Sequence, residues 1–304
     1  MKIAINWLQN SKWFSRARNK KAPLPVIFPD KYRIVEKIGD GATSDIFHAI
    51  QLSTRNHIAL KVYRPYFNSK EDERIIEQFR SEAKFLQSCQ HINIVKIYDV
   101  QTIEQPYFMA LEFIEGDSMV NIMEKHRNVF SLTETMQYIN PICDALDYLH
   151  KQGLVYCDFK PANMMIDKQR KCTLIDFGSI RMYSSEQQDK TFSGTPEYMP
   201  PELWKRNGEI SPATDIYSIG VWLYQMLAGC HPLTGKNSKQ TWENNNIERI
   251  GTLHVNQQPF PASQFHSGIS PAIDKILRKC VEKEINSRYQ DTISLRNDLS
   301  LAIQ

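Results

Sequence analysis

Asp158, Lys160, Asn163 and Asp176 limit what this chain can be more than any other feature. In Tyr156-Cys157-Asp158-Phe159-Lys160-Pro161-Ala162-Asn163 the lysine follows Asp158 by two residues and the asparagine by five, and Asp176-Phe177-Gly178 begins eighteen residues beyond Asp158. Between them, Met164-Met165-Ile166-Asp167 and Cys172-Thr173-Leu174-Ile175 read as two short strands closed by a turn at Asp167 to Lys171, which presents Asp176 at a strand end. Each polar residue alone suits a turn or a cap. Together they place a hydroxyl acceptor, a cation and two metal-ligand side chains in one region, and phosphoryl transfer needs these to neutralise phosphate charge and aim a hydroxyl in line.

The rest of the chain supplies a scaffold for such a site. Its 304 residues exceed one typical core and suit two lobes sharing a cleft; 41% apolar and 23% charged residues are ordinary for a globular protein. Lys2, Lys12, Arg16, Arg18, Lys20 and Lys21 precede the first acid, Asp30, so removing these six charges from the formal net +3 leaves the remainder at −3. A mildly acidic body carries no global nucleic-acid footprint, and no nucleic-acid partner is expected. Six scattered cysteines without a CxxC pair point to free thiols in a reducing, cytoplasmic setting. The longest apolar stretch, near Ile216 to Ala228, is interrupted by Ser218 and Gln225 and is too short to span a bilayer.

Upstream, Tyr32 to Ile38 reads as a strand leading into Gly39-Asp40-Gly41-Ala42-Thr43-Ser44, and Ile58-Ala59-Leu60-Lys61-Val62 alternates like a second strand. Ile75, Ile76, Phe79, Ala83 and Leu86 recur at helical spacing around Glu82. A lysine in an apolar strand is costly unless its ammonium meets anions. With the Asp158 region, this order of motifs resembles the eukaryotic-type serine/threonine protein kinase family from about Tyr32 to the C-terminus.

The resemblance implies an α+β, bilobal fold: an extension and Pro-containing linker over residues 1–30, then a kinase domain over 31–304, with a β-rich N-lobe at about 31–113 and a mostly helical C-lobe at about 114–304. It implies ATP and Mg²⁺, with Mn²⁺ as an alternative ion, and a protein substrate bearing Ser or Thr. Ile38, Gly39, Gly41, Ser44, Ile46, Ala59, Lys61, Leu111, Glu112 and Ile114 are expected around the nucleotide. Leu111 is the gatekeeper, and the backbone of Glu112 to Ile114 is the adenine hinge. Lys61 pairs with Glu82, Asp158 accepts or orients the substrate hydroxyl proton, Lys160 stabilises the transferring group, and Asn163 with Asp176 holds the metal. Gly194-Thr195-Pro196-Glu197-Tyr198 is similar to the end of an activation segment, and Thr195 with Lys160 matches the serine/threonine-specific pattern. Asp215 is expected to anchor the catalytic loop, and Arg288 to pair with Glu202.

Three departures stand out. Ser44 replaces the third glycine of the loop, Pro200-Pro201-Glu202 stands where Ala-Pro-Glu is usual, and Tyr156-Cys157-Asp158 replaces His-Arg-Asp. The missing arginine makes this a non-RD variant and implies activity without strict need for activation-loop phosphorylation. A redox role for Cys157 is the weaker reading of the same substitution. Two rivals are a weak pseudokinase acting as a scaffold, opposed by the complete set of polar residues, and a small-molecule phosphotransferase, which the Gly194 to Glu202 segment and Asp215 fit less well. Residues 1–21, basic with Trp7, Leu8, Trp13 and Phe14, suit an amphipathic helix that binds an anionic membrane surface or an acidic partner, or one that packs on the body or frays. The region from Gly235 to Gln264 reads as loops with a short helix.

Overall fold

The computed structural model describes residues 30–41, 43–64, 69–126, 129–183, 194–205, 208–236 and 247–303. The expected helix over residues 1–21 and the activation-segment positions Thr191 and Ser193 lie outside them. The chain divides into two compact units. One runs to Gln90 and resumes over Val95–Glu115; the other holds His91–Ile94 and the chain from Gly116 onward. The first is a five-stranded antiparallel sheet with one long helix, and the described residues of the second carry six α-helices and short β-ribbons, an α+β composition.

In the first unit the strands are β1 (Tyr32–Asp40), β2 (Ser44–Gln51), β3 (His57–Tyr63), β4 (Ile97–Gln101) and β5 (Phe108–Glu112), in sheet order β1-β2-β3-β5-β4. Alternation sends Phe47 and Ala49 of β2, Ile58, Leu60 and Val62 of β3, and Phe108 and Ala110 of β5 to one face, where they form a buried cluster with Tyr32. The other face therefore carries Ile46, His48, Ala59, Lys61 and Leu111, with Ile46 opposite Lys61 and Ala59 opposite Leu111. The helix α1 (Ser69–Ser88) buries Ile75, Phe79, Ala83 and Leu86 along one stripe, with Ile76 only partly covered.

In the second unit, α2 (Met119–Lys125) follows β6 (Gly116–Ser118), and α3 (Leu132–His150) opens with a reciprocal Ser131–Glu134 capping box. Next come β7 (Leu154–Val155), then β8 (Met164–Asp167) and β9 (Cys172–Leu174), which form the expected hairpin. Its turn is held by Asp167 Oδ1, which accepts the Gln169 and Lys171 N–H groups at 2.9 Å each. His91–Ile94 belongs with this unit because Leu174 N–H donates to Asn93 O at 2.9 Å and Asn93 Nδ2 donates to Cys172 O at 2.7 Å.

The remaining elements are β10 (Arg181–Met182), α4 (Pro212–Ala228), α5 (Ile247–Asn256), α6 (Pro271–Cys280) and α7 (Thr292–Leu301). The helix α4 is buried nearly all round, as its unbroken apolar character requires, and it starts at Pro212 because Ser211 caps it. At Gly220 a Cβ would fall 2.4 Å from the Cys280 Cβ, so glycine sets how closely α4 and α6 approach. Among the described residues no helix is long and apolar enough to cross a membrane.

Candidate active site

The first unit carries a charged pair built into an apolar setting. Lys61 points from β3 to the face opposite the core cluster, and Glu82 lies on the buried stripe of α1. Nζ of Lys61 donates to both carboxylate oxygens of Glu82, at 2.7 and 2.8 Å, and the two residues are 9% and 3% exposed. Such a pair is costly to bury, and it fixes the direction of the ammonium.

The residues named around it from sequence are placed as follows. Ile38 is exposed on β1, and Gly39 pairs with Ile46. Gly41 N–H donates to Ser44 O at 2.7 Å, and a Cβ at Gly41 would lie 3.0 Å from Ser44 Oγ and 3.1 Å from Ser44 O, so the turn is tight there. Ser44 itself is buried. Ile46, Ala59, Lys61 and Leu111 share one sheet face; Glu112 ends β5, and Ile114 follows it. The base of the loop is clamped electrostatically, because Lys37 and Arg64 each reach both Asp40 and Asp45.

The second unit contributes the catalytic-loop cluster. Asp215, in the first turn of α4, accepts N–H bonds from Tyr156 (Oδ2, 2.9 Å) and Cys157 (Oδ1, 2.9 Å), and the His150 ring nitrogen Nε2 donates to Oδ2 at 2.8 Å. Cys157 has φ = 65°, a left-handed conformation that a non-glycine residue adopts at a cost, so Asp215 holds a strained backbone just before Asp158.

Around Asp158 the side chains close a ring. Lys160 Nζ donates to Asp158 Oδ2 at 2.7 Å and to Thr195 Oγ1 at 2.6 Å, and the Thr195 hydroxyl donates to Asp158 Oδ1 at 2.7 Å. Asn163 Nδ2 donates to the backbone oxygen of Asp158 at 3.0 Å, and Ile175 N–H donates to Asn163 O at 3.1 Å, which ties the strand leading to Asp176 to the same loop. Burial pulls the Lys160 ammonium down, but the charge and hydrogen bond of Asp158, with Asp176 behind, outweigh it and leave Lys160 above the ordinary lysine value.

The oxygen donors fit a hard divalent cation. Among the described residues no group of three or more His, Cys, Asp or Glu side chains could hold a metal by itself. Asn163 and Asp176 thus suit an ion that takes few protein oxygens and completes its shell with phosphate and water.

Thr195 is the member of this ring missing from the site residues expected from sequence, and its pairing with Lys160 in the serine/threonine pattern is the signal that points to it. Cys157 lacks the exposed, acidified setting of a redox thiol. It packs with Val155 and Ile210, and burial pushes its pKa well above the ordinary value.

Known proteins share this arrangement of sequence. Over 283 residues the chain is 28% identical to the serine/threonine-protein kinase PknB of Mycolicibacterium smegmatis, which takes in 90% of this chain and 43% of that protein. It is 29% identical over 283 residues to PknB of Mycobacterium tuberculosis, with the same two shares of 90% and 43%. It is 28% identical over 277 residues to a probable serine/threonine-protein kinase of Clostridium acetobutylicum, across 90% of this chain and 40% of that protein. The chain therefore spans less than half the length of these curated relatives. The sequence profile described as "Protein kinase domain" matches residues 32–297, nearly the whole of the two units, and the chain belongs to the protein kinase domain family.

Proposed function

We propose that the chain is a serine/threonine protein kinase that transfers the γ-phosphoryl group of ATP to Ser or Thr hydroxyls of a protein substrate, with Mg²⁺ as its metal and Mn²⁺ as an alternative. The observation that carries this reading is the closed ring of Asp158, Lys160 and Thr195. It fixes a carboxylate and an ammonium side by side, as in-line transfer to a hydroxyl requires.

In this reading Asp158 orients the substrate hydroxyl and takes its proton, and Lys160 faces the charge that develops on the transferring group. Lys61, steered by Glu82, binds nucleotide phosphates, while Asn163 and Asp176 hold the metal. Ile38, Gly39, Gly41, Ser44, Ile46, Ala59 and Leu111 border the nucleotide, and the backbone of Glu112 to Ile114 receives adenine. Bound metal and nucleotide supply the activated phosphoryl group and neutralise its charge.

Cys157 in place of arginine supports activity without activation-loop phosphorylation. The six free cysteines support a reducing, cytoplasmic setting. The charge of residues 1–21 supports recruitment to an anionic membrane surface or an acidic partner.

The test is transfer of label from γ-labelled ATP to a mixed Ser/Thr peptide set in the presence of Mg²⁺. Wild type is expected to yield phosphoserine or phosphothreonine, and Asp158→Asn is expected to lose at least about a hundredfold in kcat/KM. Equal activity in Asp158→Asn, or ATP binding with no labelled peptide, would overturn the reading.

A further inference from the structure

On the face of the sheet that carries Lys61, two histidines meet at their ring nitrogens. His48 lies in the middle of β2 and His57 is the first residue of β3, on neighbouring antiparallel strands. Nε2 of His48 and Nδ1 of His57 are 2.6 Å apart, with ring planes 24° from parallel and centroids 4.9 Å apart. With so short a contact between such distant centroids, the rings meet nitrogen to nitrogen rather than face to face. Phe113 lies flat on His48, at 4.2 Å between centroids and 15° between planes, and holds that ring in place. His57 is exposed at the strand end, with its ring 6.2 Å from that of Phe113 between centroids.

The outer nitrogen of His48 faces a carboxylate. Glu36 Oε1 lies 3.9 Å from His48 Nδ1, too far for a direct hydrogen bond but near enough for its charge to favour a proton on Nδ1. A carboxylate behind one imidazole nitrogen is the usual means of aiming the other lone pair at a metal. With the His48 proton on Nδ1, its Nε2 faces His57 Nδ1 as a lone pair, which either the N–H of a neutral His57 or a metal ion can meet. The N–H serves at 2.6 Å. A metal held by two imidazoles needs its nitrogens on the order of 3 Å apart, from metal–nitrogen distances of about 2.0–2.1 Å. A small rotation of His57 supplies that opening.

We propose that His48 and His57 form a two-imidazole site for a late first-row divalent metal ion, with Glu36 as the carboxylate behind His48 and water completing the coordination shell. Imidazole nitrogen selects Cu²⁺, Ni²⁺ and Zn²⁺ over Mg²⁺, with Cu²⁺ bound tightest. The site is separate from the Asn163 and Asp176 oxygens and takes a different class of ion. It stands independently of the kinase reading, since no part of it uses nucleotide or peptide.

The experiment titrates Cu²⁺ into the nucleotide-free full chain and follows it by calorimetry and electron paramagnetic resonance. It compares wild type with His48→Asn, His57→Asn and, as a control at an exposed histidine elsewhere, His266→Asn. Wild type and His266→Asn are expected to bind one equivalent with hyperfine structure from two nitrogens, whereas each of the other variants binds at least tenfold more weakly and shows one nitrogen at most. Zn²⁺ should raise the melting temperature of wild type and leave that of His57→Asn unchanged. If His48→Asn melts early for want of packing against Phe113, the exposed His57→Asn decides the matter. Binding by His57→Asn as tight as wild type, or an equal loss in His266→Asn, overturns the site. So does a wild type that takes up protons at this pair but no metal.

Discussion

Asp215 holds the amide of Cys157 at 2.9 Å, at the one residue of the catalytic loop whose backbone is left-handed. The second oxygen of Asp215 takes the Tyr156 amide and the His150 ring, so one buried carboxylate sets the path of the chain into Asp158. Asp215→Asn keeps the shape but turns an amide NH₂ toward a donor. We expect loss of at least about a hundredfold in kcat/KM and destabilisation of about 2 kcal/mol, measured by peptide phosphorylation and by urea denaturation. Near wild-type activity in a folded Asp215→Asn would show that the loop keeps its path without this clamp.

Glu202 and Arg288 form a buried ion pair, bidentate at 2.8 Å for both bonds, with Arg288 also donating to Ala213 O, Glu282 O and Lys283 O. Arg288→Met strands the carboxylate of Glu202, which is 7% exposed. The expected loss is about 3–5 kcal/mol in urea denaturation, and the double variant Glu202→Gln/Arg288→Met should recover part of it. A single variant as stable as wild type would contradict the buried pairing.

Lys61→Met should abolish most transfer, since nothing else on its sheet face is placed to replace the ammonium that Glu82 directs. It also removes both bonds to a buried Glu82, so a destabilisation of about 1–3 kcal/mol is expected alongside the loss of activity. Glu82→Gln keeps a hydrogen bond and should spare more of the stability than of the activity. Measuring melting temperature and kcat/KM on both variants separates the two effects.

Acid should weaken the second unit through His231. Its Nε2–H donates to Glu197 O at 3.0 Å, and its Nδ1 accepts Leu233 N–H at 3.2 Å, so the neutral ring is fully used and a second proton would break the latter bond. Burial, with Lys283 nearby, pushes its pKa down to about 4, and His254 beside it is lowered as well, burial again being the main cause. A folded value below the unfolded one means that the unfolded chain binds the proton first. The stability is thus complete above about pH 6.5 and is lost as pH falls through about 4, by an amount on the order of 3 kcal/mol. The midpoint of urea denaturation between pH 7 and pH 4.5 should fall more steeply in wild type than in His231→Gln.

Much of this arrangement is legible in the sequence because it is local. The offsets from Asp158 to Asn163, the turn at Asp167 and the stripe from Ile75 to Leu86 each encode geometry within a few residues. The pairing of Lys61 with Glu82 and of Glu202 with Arg288 is legible only through the resemblance to the kinase family. Periodicity is silent elsewhere. The ribbon of β7 and β10 has two residues per strand, too few to alternate, and α7 follows a polar turn beyond Tyr289 where the apolar spacing is sparse. The contact between His48 and His57 depends on the register of two strands, which neither histidine reveals alone. Thr195 reaches Asp158 across 37 residues, a distance that no spacing rule spans.

A prediction about the control of activity rests on Cys157. In a kinase with arginine before the catalytic aspartate, the guanidinium helps hold a phosphate on the activation segment through charge-assisted bonds. Here that position is a buried thiol packed with Val155 and Ile210, and it offers no cation. A phosphate on Thr191 or Ser193 therefore lacks this partner, and the loop has no unpaired arginine to neutralise. Arg181 of β10 is close enough to influence Cys157 electrostatically and is a cation that could stand in for the missing guanidinium. The expected outcome is that Thr191→Ala/Ser193→Ala, purified after phosphatase treatment, phosphorylates an exogenous peptide within a few-fold of wild type. Arg181→Ala in the same background should change little further. A fall in kcat/KM beyond about a hundredfold, equivalent to roughly 2.7 kcal/mol of transition-state stabilisation, in a folded double variant would show that the loop phosphate governs activity despite Cys157.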